Sequence, residues 1–144
     1  MSELTPPLPD VSDVDFRPFW TGCAAGRLLV QRCRGCGRLR WPPRPACVAC
    51  LEFGHDWVPV GPTGTVFSWT TTVRAPAPRY AGVVPYTTLL VEVDGAGLRF
   101  LGNLDGPAAG LRIGAPVQVV FRPAAPGVRL PCWRLLTAPA GRLR

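Results

Sequence analysis

Residues 33–50, "CRGCGRLRWPPRPACVAC", carry four thiols as two Cys-x-x-Cys pairs. Cys33, Cys36, Cys47 and Cys50 could exchange electrons, form disulfides or hold a metal. Zinc wants a closed tetrahedron of soft ligands, with sulfur about 2.3 Å from the ion. A two-residue spacer lets both thiolates of a pair curl onto one ion. Gly35 and Gly37 relieve the tight turn around Cys36. Two such knuckles, each on its own short ribbon, complete the set, so the spacing predicts one structural zinc per chain. An iron site with four cysteines uses similar spacing and stays open at this level. A redox Cys-x-x-Cys belongs at a strand-to-helix turn in a βαβ setting, whereas both pairs here sit among short apolar strands. Four sulfurs close the shell, so the metal is expected to be structural rather than catalytic. His55, the single histidine, is expected at the surface or behind the thiolates. Apparent zinc binding of about 10–16 kcal/mol would decide whether such a ribbon folds.

No other run carries recognisable catalysis. There is no G-x-S-x-G, Walker motif or dinucleotide fingerprint. With no Lys in the chain, a Schiff base is excluded. Most acids fall in arms, caps or turns. No catalytic residue is therefore assigned, and an enzyme acting alone is not expected. Cys23 and Cys132 lie on predicted apolar faces and read as buried free thiols.

The elements that must position the thiols are short. The 144 residues include 18 Pro and 16 Gly, which disfavours long helices and points to strands joined by punctuated turns. The 47% hydrophobic content excludes a disordered chain. No apolar run reaches the roughly 18 residues of a membrane helix. The start, "MSELTPPLPDVSDVD", has acids where a signal peptide has basic residues. A cytoplasmic setting follows as the expectation, with reduced thiols and no disulfides. The net charge is +7, and every basic residue is Arg. Arg grips phosphate and carboxylate in fixed geometry, although codon bias accounts for the same composition. The charge permits nucleic acid without demanding it.

Residues 1–13 read as a Pro-rich, acidic arm. Residues 14–26, "VDFRPFWTGCAAG", fit one short helix, with Asp15 as cap, Pro18 in the first turn and Gly26 as terminator. Phe16, Phe19, Trp20 and Cys23 share one face. Such a stripe is ordinarily core; its aromatic density makes Phe16, Phe19 and Trp20 the candidate partner interface. The cysteine segment follows. Strands are expected at 65–73, 86–93, 98–104, 115–122 and 128–135, with Phe67, Trp69 and Val73 on one face of the first strand and Val66 on the other. The fold class is mainly β: a short N-terminal helix and a rubredoxin-like zinc ribbon, then a five-stranded OB-fold barrel. The expected units are 1–26 (arm and helix), 27–60 (ribbon), 61–137 (OB-fold) and 138–144 (flexible tail). The Pro-rich insert "RAPAPRYAGVVP" (74–85) is long for a hairpin and should face a ligand or partner.

The runs "FWTGCAAGRLLVQRCRGCGRLRWPPRPACVAC", "GTVFSWTTTVRAPAP", "IGAPVQVVF" and "RLPCWRL" resemble the zinc-ribbon plus OB-fold family called domain of unknown function 35. The resemblance covers about residues 15–136. It implies an accessory subunit that pairs with thiolase-like enzymes, including thiolases and the lipid-transfer-protein aldolases that cut steroid side chains. Some members are fused to, or work beside, MaoC-type enoyl-CoA hydratases; that activity is expected from another chain here. The resemblance implies acyl-CoA binding, bridging of partner enzymes or completion of a partner's pocket. It carries only Cys33, Cys36, Cys47 and Cys50 over as zinc ligands. CoA bears a pyrophosphate and a 3′-phosphate, for which Arg side chains are suitable donors. Arg74, Arg79 and Tyr80, on the long loop, are the candidate ligand contacts. The alternative class is a nucleic-acid-binding ribbon and OB module. It is weakened because Phe67 and Trp69 alternate with Ser68 and Thr70, not with Arg.

Overall fold

The computed structural model describes residues 7–136. The expected flexible tail and the first six residues of the expected arm lie outside them. One helix, α1 (Arg17–Ala24), precedes a three-stranded antiparallel sheet of β1 (Leu28–Cys33), β2 (Leu39–Arg40) and β3 (His55–Val60), in the order β2-β1-β3. The remaining strands are β4 (Thr63–Thr72), β5 (Tyr86–Val93), β6 (Arg99–Asn103), β7 (Pro116–Ala125) and β8 (Val128–Leu135). They form a second sheet in the order β6-β5-β4-β7-β8. All neighbours in that sheet are antiparallel. A parallel bridge between Leu104 and Trp133 then brings the two outer strands together. The mainly β fold class, with ribbon and five-stranded barrel, is thus observed.

Glycine makes this closure possible. A Cβ on Gly102 would lie 2.8 Å from the Pro131 carbonyl oxygen and 2.8 Å from the Trp133 ring. Any side chain there would push β6 away from β8. Asp105 adds a polar clamp one residue beyond the bridge. Its backbone N–H donates to the Trp133 carbonyl at 2.8 Å. Its carboxylate accepts from Arg122 Nε at 2.6 Å and Arg134 Nε at 2.9 Å. These arginines hold the Asp105 carboxyl below its ordinary range, Arg134 most strongly.

The sheet faces follow the alternation of the sequence with one adjustment. Val66 is buried and Phe67 faces outward, but a bulge between Val66 and Ser68 shifts the phase, so Trp69 pairs with buried Leu89 and does not share the face of Phe67 as expected. The Arg99 guanidinium covers the Phe67 ring, 3.5 Å from its centroid.

The ribbon and barrel share one apolar core. Phe19 of α1 and Leu28 and Val30 of β1 cluster with Val66, Leu89, Val91, Phe100 and Trp133. Trp41 is the hinge pin of this contact. Its ring centroid lies 4.3 Å from that of Phe19 and 4.6 Å from that of Phe100.

The helix begins differently from the expectation. Asp15 does not cap it; Phe16 takes the N-cap position with no side-chain cap bond. Asp13 instead accepts from the Asp15 and Phe16 backbone N–H groups through its carboxylate. Its carbonyl accepts from Arg17 N–H at 2.8 Å. The Pro18 and Gly26 expectations hold: Pro lies in the first turn and Gly26 has φ 75°.

Candidate metal centre and adjoining cavities

Each cysteine pair is shaped by the same local device. The first knuckle starts as β1 ends: Gly37 N–H returns to the Cys33 carbonyl at 2.9 Å. In the second, Leu51 N–H returns to the Cys47 carbonyl at 2.8 Å. The residue after the second cysteine is left-handed in both, with φ 72° at Gly37 and 63° at Leu51. Glycine adopts this without cost, whereas Leu51 carries backbone strain.

The two knuckles face each other. All four Sγ atoms lie within 4.8 Å of one another. Cys33 and Cys50 are 3.5 Å apart, and Cys36 and Cys47 are 3.7 Å apart. A tetrahedron with zinc–sulfur bonds of about 2.3 Å sets its sulfurs about 3.8 Å apart. The four cysteines therefore fit one zinc ion, and no other ligand is needed to close the shell.

Backbone N–H groups favour the thiolate form. The Cys36 N–H lies 3.5 Å from the Cys33 sulfur and holds its pKa below the ordinary thiol value. The Ala49 and Cys50 N–H groups lower Cys47 to about 6. Cys50 moves to about 12: a bond to the Glu52 backbone opposes the rise, which comes from the Cys33 sulfur, from desolvation and from the sulfurs of Cys36 and Cys47. A bound dication reverses that repulsion.

His55 stands behind the site, on the strand position paired with Cys33. Its Nδ1–H donates to the Phe53 carbonyl at 3.1 Å, so Nε2 accepts from the Gln31 amide at 3.2 Å. The Gln31 carbonyl oxygen in turn accepts from Arg44 N–H at 3.0 Å. Buried Gln31 thus ties the Pro-rich connection to β1 and β3.

Two cavities adjoin the ribbon. The apolar one, about 590 Å³, lies between α1, β6 and β8. Phe16, Trp20, Trp41, Leu101, Leu130 and Cys132 contribute to its wall. The other, about 560 Å³, lies between the ribbon and the β5–β6 turn, with Arg38, Arg40, Arg44, Val48 and Leu98 in its wall. Trp41 and Pro42 belong to both.

The structure distributes the expected site residues unevenly. The four cysteines converge. Within the helix face, Phe16 and Trp20 are half-buried, but Phe19 is only 3% exposed and packs on Trp41 and Phe100. Phe19 is a core residue, not an interface residue. Arg74 and Arg79 are exposed on the 74–85 loop, where Arg79 lies 5.9 Å from the Tyr80 ring centroid. Tyr80 faces Tyr86 at 6.3 Å, in a smaller cavity of about 310 Å³. None of these three lines the cavity that holds Arg38, Arg40 and Arg44. Cys23 is fully buried, and burial lifts its pKa to about 12. Cys132 is half-buried rather than buried and opens onto the apolar cavity.

Sequence reasoning missed the arginine cavity. The run "RLRW" carried little signal: alternation places Arg38 and Arg40 on one strand face, yet only Arg40 is buried.

Known proteins share this arrangement. Residues 20–56 match the model of the ChsH2 rubredoxin-like zinc ribbon domain, and residues 57–122 that of the ChsH2 C-terminal OB-fold domain. A solved "Ltp2-ChsH2(DUF35) aldolase" contains a chain 35% identical to this one, with a TM-score of 0.79, over 89% of this chain and 98% of that one. A DUF35 protein of unknown function from Sulfolobus solfataricus shares the fold at 17% identity, with a TM-score of 0.60, over 86% of this chain and 87% of its own. A probable enoyl-CoA hydratase alpha subunit from Thermomonospora curvata is 38% identical over 118 residues. That match covers 81% of this chain but only 36% of the hydratase subunit. Among the described residues, no helix is long and apolar enough to cross a membrane. The chain belongs to the ChsH2 family of DUF35 proteins, built from a rubredoxin-like zinc ribbon and an OB-fold.

Proposed function

We propose that this chain is a non-catalytic subunit of an acyl-CoA-processing complex. In this reading it binds acyl-CoA and scaffolds a thiolase-like enzyme, most directly an Ltp2-like aldolase, possessing no reaction of its own. The supporting observation is its likeness, over nearly all of a homologous chain, to the ChsH2 component of an Ltp2–ChsH2 aldolase. The name of the Thermomonospora curvata relative, a probable enoyl-CoA hydratase alpha subunit, supports the acyl-CoA class and a second association, with an enoyl-CoA hydratase. Steroid side-chain thioesters belong to the same substrate class. The site chemistry agrees with a structural role for the metal, because a closed four-sulfur shell leaves no position for substrate.

The partner-facing surface is the exposed part of Phe16 and Trp20 together with loop 74–85, including Arg74, Arg79 and Tyr80. The nucleic-acid alternative is disfavoured by Arg99, whose guanidinium covers the Phe67 face that a base would stack on. The test is capture of a thiolase-like aldolase by the tagged, zinc-loaded chain. Trp20→Ala should weaken the pair by about 2 kcal/mol if Trp20 is an interface anchor. A free chain that melts normally but binds no such enzyme counts against the proposal.

A further inference from the structure

Arg40 presents an unresolved electrostatic problem. The residue is 5% exposed, on the face of β2 paired with buried Gln31. None of its three guanidinium nitrogens has a hydrogen-bond partner. The side-chain carbonyl oxygen of its strand neighbour Gln31 accepts from Arg44 N–H and not from Arg40. A buried, unpaired cation is destabilising, and such groups are ordinarily paired or bound to a counter-ion. Arg38 and Arg44 line the same cavity, which has no acidic residue in its wall. Among the described residues, none of these three arginines forms a salt bridge, whereas Arg34, Arg99, Arg122 and Arg134 all do. Positive charge has been collected in a concave site and left without its complement.

The cavity's size and surroundings narrow the ligand. At about 560 Å³ it falls within the ordinary range for small-molecule sites. Guanidinium groups match phosphate oxygens in fork geometry, and a multiply charged phosphate balances several of them. Trp41 and Pro42 stand in the walls of both cavities, so the apolar cavity adjoins the arginine one. A molecule with a phosphorylated head and an apolar chain can therefore occupy both.

We propose that Arg38, Arg40 and Arg44 form a phosphate-binding site for the phosphorylated nucleotide head of an acyl-CoA, whose acyl end points toward the apolar cavity. This rests on the acyl-CoA reading above and moves the ligand contacts from Arg74 and Arg79 to the ribbon. Arg38 and Arg44 meet the anion at the cavity mouth. The Arg40 side chain, covered in the free chain, rotates to complete the cluster.

Calorimetric titration of the zinc-loaded full chain tests this with CoA, adenosine 3′,5′-bisphosphate and adenosine. The first two should bind, adenosine should not, and affinity should fall as salt rises. Arg38→Ala/Arg44→Ala alters exposed side chains and should weaken both phosphorylated ligands at least 10-fold. Arg40→Met should do the same while retaining its zinc. CoA binding unchanged in the double variant overturns the site but leaves the acyl-CoA reading intact. Arginine-dependent binding of the bisphosphate without binding of CoA overturns CoA as the occupant. Binding of neither phosphorylated ligand overturns both.

Discussion

Trp41 stacks on Phe100 with ring centroids 4.6 Å apart and planes inclined by 24°. Trp41 follows directly on β2 of the ribbon, and Phe100 lies on β6 of the barrel. This contact makes the metal ribbon and the barrel one mechanical unit. Trp41→Ala should lower stability by about 3 kcal/mol, the lower end for removing a large aromatic from a core. Denaturant unfolding of the zinc-loaded chain measures this. A loss below about 1 kcal/mol would mean that the stack does not couple the two sheets.

The metal prediction follows from the sulfur spacing. Purified protein should contain one zinc per chain, and Cys36→Ser or Cys47→Ser should abolish it and unfold the ribbon. Much of the barrel's strand signal should survive in circular dichroism, while Trp41 loses its fixed environment and the melting temperature falls. Elemental analysis and near-ultraviolet spectra decide the matter. A rigid ribbon that contains no metal would refute the structural-zinc assignment.

Leu51 offers a test of the paired knuckles. It is 73% exposed and holds φ at 63°, the conformation that Gly37 supplies in the other knuckle. Leu51→Gly removes little burial and relieves a left-handed residue. It should stabilise the zinc-loaded chain by about 1 kcal/mol. The reverse-type change, Gly37→Leu, should destabilise by a similar amount. Comparing both midpoints in denaturant checks the symmetry; a loss for Leu51→Gly would contradict it.

Barrel closure should show a pH signature. Asp105 is held below its ordinary carboxyl value by Arg134 and then Arg122. Because the folded pKa is depressed, its contribution is complete above the unfolded value of about 4 and is lost as pH falls through the folded one. Asp105→Asn should therefore cost about 1–3 kcal/mol at neutral pH. The difference between variant and parent should shrink as pH falls below the unfolded value of about 4. Stability curves at several pH values measure it, and a difference that grows in acid would refute the clamp.

Local chemistry made much of this molecule legible. The four cysteines declare a metal site through spacing, with zinc over iron decided by the ribbon family, and the strands Tyr86–Val93 and Val128–Leu135 were delimited by their β-branched and apolar runs. Tertiary choices were less visible. Phe19 carries the same helical periodicity as an interface residue, and only Trp41 and Phe100, distant in sequence, bury it. Asp13 displaced Asp15 because the turn before the helix has its own hydrogen bonds. The parallel bridge at Leu104 depends on how the whole sheet curls. Arg40 was hidden by its type: an arginine in a two-residue strand reads as exposed, and its burial is set by the sheet it joins.

The most direct test of the accessory-subunit account is acyl-CoA cleavage measured with purified components. The assay compares this chain alone, a thiolase-like aldolase partner alone, and the two together on a β-hydroxyacyl-CoA. The account predicts no turnover by this chain alone and a rate for the pair at least 10-fold above that of the partner alone. Turnover by this chain in isolation, or a partner whose rate is unchanged by its addition, would contradict it.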